Sequence, residues 1–288
     1  DGEHTEGEEL FVTGENKIYF PKPEHVVVQY DGEQELHHAV AIPRGEGRYV
    51  LDRATGAVTT ISGPAMFLPD PRKQVIVRRV LAERECDLLY PANEGVREHN
   101  DRLRSKTPRA ERSGEPVGKV KPRPQGELIR RDYTPPRTLT LDTRMDGVVS
   151  VDVWPGFAVQ VVNRADERRV ELGPKTLLLD YDETLAALSL STGTPKNDER
   201  RLDTAYLQTR GNKVSDAFGV MSADMVECWV TVTYRVEFVG DDPSRWFEVD
   251  DYVKLLCDHA RSIIGNACRG AGVRDLFVTV ADVVRDAI

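Results

Sequence analysis

The sequence has few cysteines and no long apolar run. Its four cysteines form no C-x-x-C pair and lack histidines at zinc-ligand spacing, which disfavours a zinc site and is typical of a reducing compartment. The last two share one face of a predicted helix but lie about 16 Å apart, beyond disulfide reach, so both are expected to be buried packing residues. Apolar stretches are only strand-sized, so no membrane-spanning helix is expected. The cysteines are Cys86, Cys228, Cys257 and Cys268.

Aromatic residues are also scarce, at 7%, whereas charged residues reach 30% and hydrophobic residues 40% of the 288 positions. The formal net charge is −9. These proportions indicate an elongated, modular protein of about two ordinary domains or a row of smaller modules. The sequence opens at Asp1 and ends at Ile288 within a predicted helix, so we expect an internal fragment of a longer chain.

The motifs of common catalytic and nucleotide-binding sites are absent from the sequence. Gly45-Glu46-Gly47 lacks the third glycine of a dinucleotide loop, and neither G-x-S-x-G nor H-E-x-x-H occurs. The isolated His259, on a predicted helix, is better explained by solvent exposure or a local contact than by a functional role. We therefore predict no catalytic residue, no cofactor and no bound metal, and thus no enzyme.

Two groups of residues allow a functional interpretation beside a structural one. Asp180, Asp182 and Glu183 form a compact acidic group, but they lack the order of a calcium-binding loop, so a polar turn between strands is favoured. The three tryptophans lie at strand or helix edges, where packing in a core or interface is favoured over stacking on a ligand. These are Trp154, Trp229 and Trp246.

Short strands separated by Gly and Pro are predicted in the first 90 residues, spaced as in antiparallel β-structure. An internal echo accompanies them, because Ile18-Tyr-Phe-Pro21-Lys-Pro23 precedes an apolar strand as Gly63-Pro64 to Pro71 does, with 48 residues from Pro21 to Pro69. Gly173-Pro174 to Leu179 is a looser copy, 110 residues after Gly63. The interval equals two units of about 55 residues, which is typical of arrays of β-modules. The predicted strands are 10–12, 17–20, 25–30, 48–51, 57–61, 65–68 and 74–81.

Residues 91–142 interrupt this pattern. Between Asp101 and Arg137 there are 11 Lys/Arg, 5 Asp/Glu and 6 Pro, so this stretch carries +6 and the rest of the chain −15. Such a composition predicts an extended linker or insertion. A basic arm can also bind nucleic acid, but Tyr133 is its only aromatic residue, so a solvated linker is favoured.

Strands resume after residue 148, and the clearest pattern in the chain lies at 226–238. There Val, Cys, Tyr and Phe alternate with polar residues and Trp229, which predicts a long strand with one buried face. Asp250 and Asp251 are placed to cap a helix that reaches Gly270, and a second helix is predicted at 278–288. The other strands are predicted at 149–154, 158–163, 168–172, 176–179 and 184–190.

The predicted fold is therefore mainly β with an α+β C-terminal part, in which tandem antiparallel β-modules precede a sheet-plus-helices domain. We divide the chain into a β-repeat region at 1–90, a Pro/Arg-rich linker or insertion at 91–142, a β-repeat at 143–199 and an α+β domain at 200–288.

Several passages resemble the major vault protein family. They are Pro155-Gly-Phe-Ala-Val-Gln-Val, Gly173-Pro174, Leu188-Ser-Leu-Ser-Thr-Gly-Thr-Pro-Lys196, Val220-Met-Ser-Ala-Asp224, Val230 to Phe238, and the helix from Asp250 to Gly270. The Asp52-Arg-Ala-Thr-Gly56 turn, Gly63-Pro64 to Pro71 and the following Gln74-Val-Ile-Val-Arg-Arg79 resemble an earlier vault repeat. The resemblance implies β-repeats followed by a shoulder domain similar to the stomatin/prohibitin/flotillin (band 7, SPFH) fold. The segment 101–137 has no counterpart in it, which indicates a divergent or bacterial relative.

The resemblance also implies a function. It predicts a non-catalytic, cytoplasmic, structural subunit that self-assembles laterally into a ring, barrel or shell, as a homo-oligomer and ribonucleoprotein particle whose cargo is protein or RNA. The alternative is a membrane-associated band 7 scaffold, which the negative charge outside the insertion disfavours at an anionic surface. A third possibility is an enzyme or nucleic-acid-binding module that uses the Arg-rich insertion.

Overall fold

The computed structural model describes residues 5–14, 18–20, 22–29, 37–106 and 147–287. The chain forms two compact units, one of Asp1–Arg79 with Tyr133–Val149 and the other of Val80–Asp132 with Ser150–Ile288. The described residues are mainly β, in several small antiparallel sheets, with helices at the C-terminal end. This confirms the predicted class at that level. The four-part division of the chain stays a prediction.

The first unit contains a five-stranded β-module. Its strands are β1 (Val40–Ile42), β2 (Gly47–Asp52), β3 (Val58–Ser62), β4 (Ala65–Phe67) and β5 (Gln74–Val77). Strand β2 pairs with β3 and β5, and β1 pairs with β4, all antiparallel. Tyr49 and Val50 are fully buried, and the Tyr49 hydroxyl accepts a hydrogen bond from the Val149 main-chain N–H at 3.2 Å. The module therefore has its own small core.

The second unit begins with two helices and a second β-module. The helices are α1 (Glu83–Leu89) and α2 (Glu94–Lys106). The strands are β6 (Ser150–Val153), β7 (Phe157–Val162), β8 (Arg168–Leu172), β9 (Lys175–Leu178) and β10 (Thr184–Leu185). Strand β7 pairs with β8 and β10, and β6 with β9, so the order repeats that of the first module.

The two modules share their spacing and their special residues. Each strand of the second begins 110 residues after its counterpart in the first. Gly63 and Gly173 each lie just before the fourth strand of their module, and both are closely packed. A Cβ atom on Gly63 would lie 1.9 Å from the Pro43 main-chain oxygen, and one on Gly173 would lie 2.0 Å from the Trp154 main-chain oxygen. The internal echo predicted from Gly63 and Gly173 is therefore confirmed as a structural repeat. The copy predicted at 18–23 forms no strand in its described residues.

A side chain closes the turn between the second and third strands of each module. In the first module the Asp52 carboxylate accepts hydrogen bonds from the main-chain N–H groups of Ala54 and Thr55, at 2.8 and 3.0 Å. In the second module the Asn163 amide oxygen accepts from Ala165 and Glu167, both at 2.9 Å. Such Asx turns fold the chain back through local side-chain hydrogen bonds.

Replacing Gly173 by alanine is expected to destabilise the second unit by about 1–3 kcal/mol, because the new methyl group must displace main-chain atoms of the neighbouring strand. The matched control is Gly265→Ala, since nothing lies within 4 Å of a Cβ atom there and alanine favours the helix around it. Thermal unfolding followed by circular dichroism compares the two. Equal stability of Gly173→Ala and the parent chain contradicts the close packing.

The chain ends in a domain of strands and helices. Its strands are β11 (Leu188–Ser191), β12 (Arg201–Thr204), β13 (Leu207–Gln208), β14 (Asn212–Met221) and β15 (Glu227–Val236). A short 3-10 helix (Pro243–Phe247) precedes α3 (Tyr252–Arg269) and α4 (Val273–Ala287). Asp251 caps α3, since its carboxylate accepts the Lys254 main-chain N–H at 2.9 Å, as predicted. One buried cluster joins β14, β15 and both helices around Phe218 and Ile264.

Several sequence predictions of secondary structure are wrong. Residues 10–12, 18–20 and 25–29 form no strand and belong to no sheet in the part of the chain that the structure describes; positions 17 and 30 lie outside the described residues. Residues 94–106, expected to be extended, form α2, and 107–142 also lie outside. The helix lacks a wide apolar stripe and is held instead by Asn100, whose side-chain amide exchanges two hydrogen bonds with the Leu81 main chain. Strands β1, β12 and β14 and helix α1 were not predicted.

Candidate assembly surface

The sheet of the end domain has one buried face and one open face. Strands β14 and β15 pair along ten residues each, from Asn212 with Val236 to Met221 with Glu227. Side chains on the inner face pack against α3 and α4, including Cys228, Val230, Val232 and Tyr234. The alternate side chains of β15 are exposed: Glu227, Trp229, Thr231, Thr233 and Arg235. The one-sided strand predicted from the 226–238 pattern is confirmed.

Apolar side chains occupy the hairpin end of the open face. Trp229 is 71% exposed, Met225 in the turn is 79% exposed, and Met221 is partly exposed. Trp229 pairs in register with Gly219, so no side chain stands beside the indole at the directly opposite position. We call Met221, Met225 and Trp229 the sheet patch. It is an apolar surface on an otherwise polar sheet face, a feature typical of binding sites.

A second apolar surface lies on α4. Leu276 faces the core shared with the sheet, whereas Phe277 and Val278 are 90% and 81% exposed. Ala281 follows four residues after Phe277 and is exposed on the same side of the helix. We call Phe277, Val278 and Ala281 the helix patch. Sequence reasoning missed this patch because the predicted helix began at residue 278. The pattern that could have revealed it is three consecutive apolar residues at 276–278, which point to different sides of a helix and cannot all face the core.

A buried ion pair fixes α3 on the sheet. Asp216 on β14 is 0% exposed, and its carboxylate accepts hydrogen bonds from Arg261 Nε at 2.7 Å and Nη2 at 2.9 Å. The Lys196 main-chain N–H donates to the same carboxylate at 2.9 Å, and Arg261 Nη2 donates to the Lys196 carbonyl at 2.6 Å. A strand, a helix and a loop are thus joined by one charged side-chain pair.

The charge state of Asp216 follows from these contacts. Burial alone raises the pKa of this carboxyl, but the hydrogen bonds from Arg261 and from the Lys196 N–H outweigh it and hold the pKa below its ordinary value of 3.8. The same pairing raises the pKa of Arg261. Both groups are therefore charged at neutral pH, and the pair serves structure.

The acidic group considered for calcium is engaged in local contacts. The Glu183 carboxylate is buried, forms an ion pair with Arg169, and accepts the Asp180 main-chain N–H at 2.9 Å. Asp182 does not join them in a ligand set. Among the described residues no group of three or more His, Cys, Asp or Glu side chains could hold a metal ion.

The three tryptophans have different surroundings. Trp154 stacks on Tyr206 with ring centroids 5.8 Å apart, and Trp246 packs against Phe238 at 5.9 Å. Trp229 is 71% exposed, Trp154 is 48% exposed and Trp246 is half-buried. His259, on the solvent side of α3, is also exposed and belongs to neither patch. The structure thus places Trp229 on an open surface and the other two rings in aromatic clusters.

All four cysteines are free. Cys257 and Cys268 lie on α3 and are buried in the core, as predicted. Burial raises the pKa of Cys257 to about 11. Burial also raises the pKa values of Cys86 and Cys268. These thiols remain protonated at neutral pH and act as small packing residues.

The described residues define a modular protein in which one β-module occurs twice and a sheet-and-helix domain follows. No helix in this part of the chain has the length and apolar character needed to cross a membrane. Residues 210–288, which contain both patches, match the family model MVP_shoulder, described as a shoulder domain.

Comparison with whole protein sequences also finds major vault proteins. The chain is 25% identical to the major vault protein of Bos taurus over 292 residues, which cover 99% of this chain and 28% of that protein. It is 27% identical to the Homo sapiens protein over 88% of the chain and 26% of the relative, and 28% identical to the Gallus gallus protein over 81% and 24%. The chain therefore spans about a quarter of the length of these relatives. These findings confirm the predicted resemblance of this chain to the major vault protein family.

Proposed function

We propose that this protein is a non-catalytic structural subunit that assembles side by side with copies of itself into a vault-like ring, barrel or shell. The observation that carries the proposal is the combination, in one chain, of a repeated β-module and a domain that matches the vault shoulder. Repeat modules build extended surfaces by contacts between neighbours. The two exposed patches on the shoulder-like domain are further support, because apolar patches rimmed by polar residues mark interaction sites.

The finer parts of the proposal concern compartment, contents and fold detail. Four free cysteines, three of them buried, fit a cytoplasmic location. Protein or RNA cargo inside the particle, and thus a ribonucleoprotein assembly, are proposed from the vault resemblance. Two helices packed on one face of a sheet support a band 7-like arrangement for residues 200–288. Neither the described residues nor the relatives favour a membrane-associated band 7 scaffold, and we do not propose it.

The test is the mass and shape of the purified chain. Light scattering after size-exclusion chromatography is expected to give a large multiple of 32.3 kDa, and negative-stain electron microscopy closed rings or barrels. A mass of 32.3 kDa at every concentration contradicts the proposal. Co-sedimentation with lipid vesicles is the control for the membrane alternative, since strong binding together with a monomeric mass favours that alternative.

A further inference from the structure

We propose that neighbouring copies join head to tail, with the sheet patch of one copy packed against the helix patch of the next. The inference rests on the proposed function and adds to it the surfaces that make the lateral contact. Both patches belong to the same unit and project from different layers of it, one from the open sheet face and one from α4. The occupant that we assign to each patch is a second copy of this chain.

The shapes and chemistry of the patches suit one another. The sheet patch offers a flat indole opposite Gly219, where no side chain of β14 covers the ring and only the Glu227 carboxylate lies over the glycine. The helix patch offers Phe277, which projects almost completely into solvent. Aromatic rings that lose water on contact are the usual centres of protein interfaces, and paired aromatic rings contribute more than the area they bury.

Charges at the two patches are complementary. Glu227 lies next to Trp229, with its carboxylate over Gly219. Arg274 lies on the same side of α4 as Phe277 and Val278, three and four residues before them. Within the part of the chain that the structure describes, neither Glu227 nor Arg274 has an ion-pair partner, whereas Arg285 on the same helix pairs with Asp282 at 2.5 Å. Contact between the patches brings the acid of one copy to the base of the next.

The same charges decide between two modes of assembly. If the sheet patch packed on its own copy, two Glu227 carboxylates would meet, and growth would stop at a dimer. Contact between unlike patches instead leaves one sheet patch and one helix patch free at the ends of every oligomer. Such a heterologous contact continues until it closes into a ring or extends as a filament. The geometry thus points to the mode that a barrel or shell requires.

The test uses one variant for each patch. Trp229→Ser and Phe277→Ser are each expected to weaken self-association by at least about tenfold, measured by analytical ultracentrifugation over a range of concentrations. Both side chains are exposed, so folding, checked by circular dichroism and thermal unfolding, is expected to stay unchanged. The matched control is Val239→Ser, which removes a side chain that is 81% exposed and belongs to neither patch.

Mixing the two variants tests the head-to-tail mode directly. Trp229→Ser keeps an intact helix patch and Phe277→Ser an intact sheet patch, so an equimolar mixture is expected to form a dimer that cannot grow. If the Phe277→Ser chain dimerises alone as tightly as it associates in the mixture, the sheet patch binds itself and the proposal is overturned. Dimerisation of Trp229→Ser alone overturns it in the same way, through the helix patch.

A charge exchange provides an independent readout. Glu227→Arg and Arg274→Glu are each expected to weaken association, and the double variant to restore it.

Failure of the proposed function and failure of this contact give different results. A parent chain that stays monomeric rejects the proposed function together with this contact. If the parent chain assembles and the Trp229→Ser variant assembles equally well, only this contact is rejected. Loss of binding to phosphatidylcholine vesicles in Trp229→Ser, with assembly unchanged, also overturns the proposal and assigns the sheet patch to a membrane.

Discussion

Replacement of Arg261 by methionine is expected to lower the free energy of unfolding of the end domain by about 3–5 kcal/mol. The substitution keeps much of the side-chain volume but leaves the fully buried Asp216 carboxylate without its charged partner. In the variant the Lys196 main-chain N–H still donates to the Asp216 carboxylate, but this neutral donor does not neutralise the negative charge. Urea unfolding followed by circular dichroism measures the difference.

The matched control for this prediction is Arg285→Met. Arg285 also pairs with an aspartate, Asp282, but both side chains are well exposed, so the loss is expected to stay below about 1 kcal/mol. Equal losses in the two variants contradict a structural role for the Asp216–Arg261 pair.

The same pair predicts how stability depends on acid. Because the pKa of Asp216 is lower in the folded chain than its ordinary 3.8, its contribution is fully present above the unfolded-state value. The contribution is lost as pH falls below 3.8 and through the lower folded pKa. Unfolding measured between about pH 5 and pH 2 is expected to show a weaker pH dependence for Asp216→Asn than for the parent chain, since asparagine has no carboxyl to titrate. An unchanged dependence contradicts the assignment of this step to Asp216.

Replacement of Val232 by aspartate is expected to unfold the end domain. Val232 faces the helices and pairs in register with Asp216, so the new carboxylate is placed in the core directly opposite an existing one. Burial without a hydrogen bond and repulsion between like charges both oppose folding, and together they cost several kcal/mol, on the order of the whole stability of a small domain.

The outward neighbour provides the control for this variant. Thr231→Asp places the same charge on the open face of the sheet, where water solvates it, and is expected to fold normally. Tryptophan fluorescence and circular dichroism during urea unfolding distinguish the two. A soluble Val232→Asp chain that unfolds cooperatively at the parent's midpoint contradicts the assigned face of β15.

The sequence predicts the elements whose pattern is regular and misses those held by polar contacts. Strand β15 and helix α3 follow simple periods of two and 3.6 residues, so both were predicted. The inward position of Asp216 breaks the alternation of β14, because a charge in the core is interpretable only once Arg261 is known to face it. Helix α2 lacks the apolar stripe by which a helix is usually predicted, and the buried Asn100 holds it through hydrogen bonds to the Leu81 main chain.

The surface is predictable to a similar degree. Alternation along 226–238 assigns Trp229 to the face away from the core, which the structure confirms. The helix patch is different, since Phe277 and Leu276 are neighbours in sequence and equally apolar. Only the packing of α4 on the sheet determines that Leu276 is buried and Phe277 is not. The short N-terminal segments show the opposite error, because apolar composition alone creates no strand without a partner strand.

The side-chain-closed turns of the two β-modules make these positions suitable for inserting a reporter. Asp52 and Asn163 fold their turns through local hydrogen bonds, and residues 53–57 and 164–167 are almost all exposed. A peptide tag or fluorophore can therefore be introduced there without disturbing strand pairing. Two reporters, one in each module, then serve as equivalent landmarks 110 residues apart, from which the path of each subunit can be traced in images of an assembled particle.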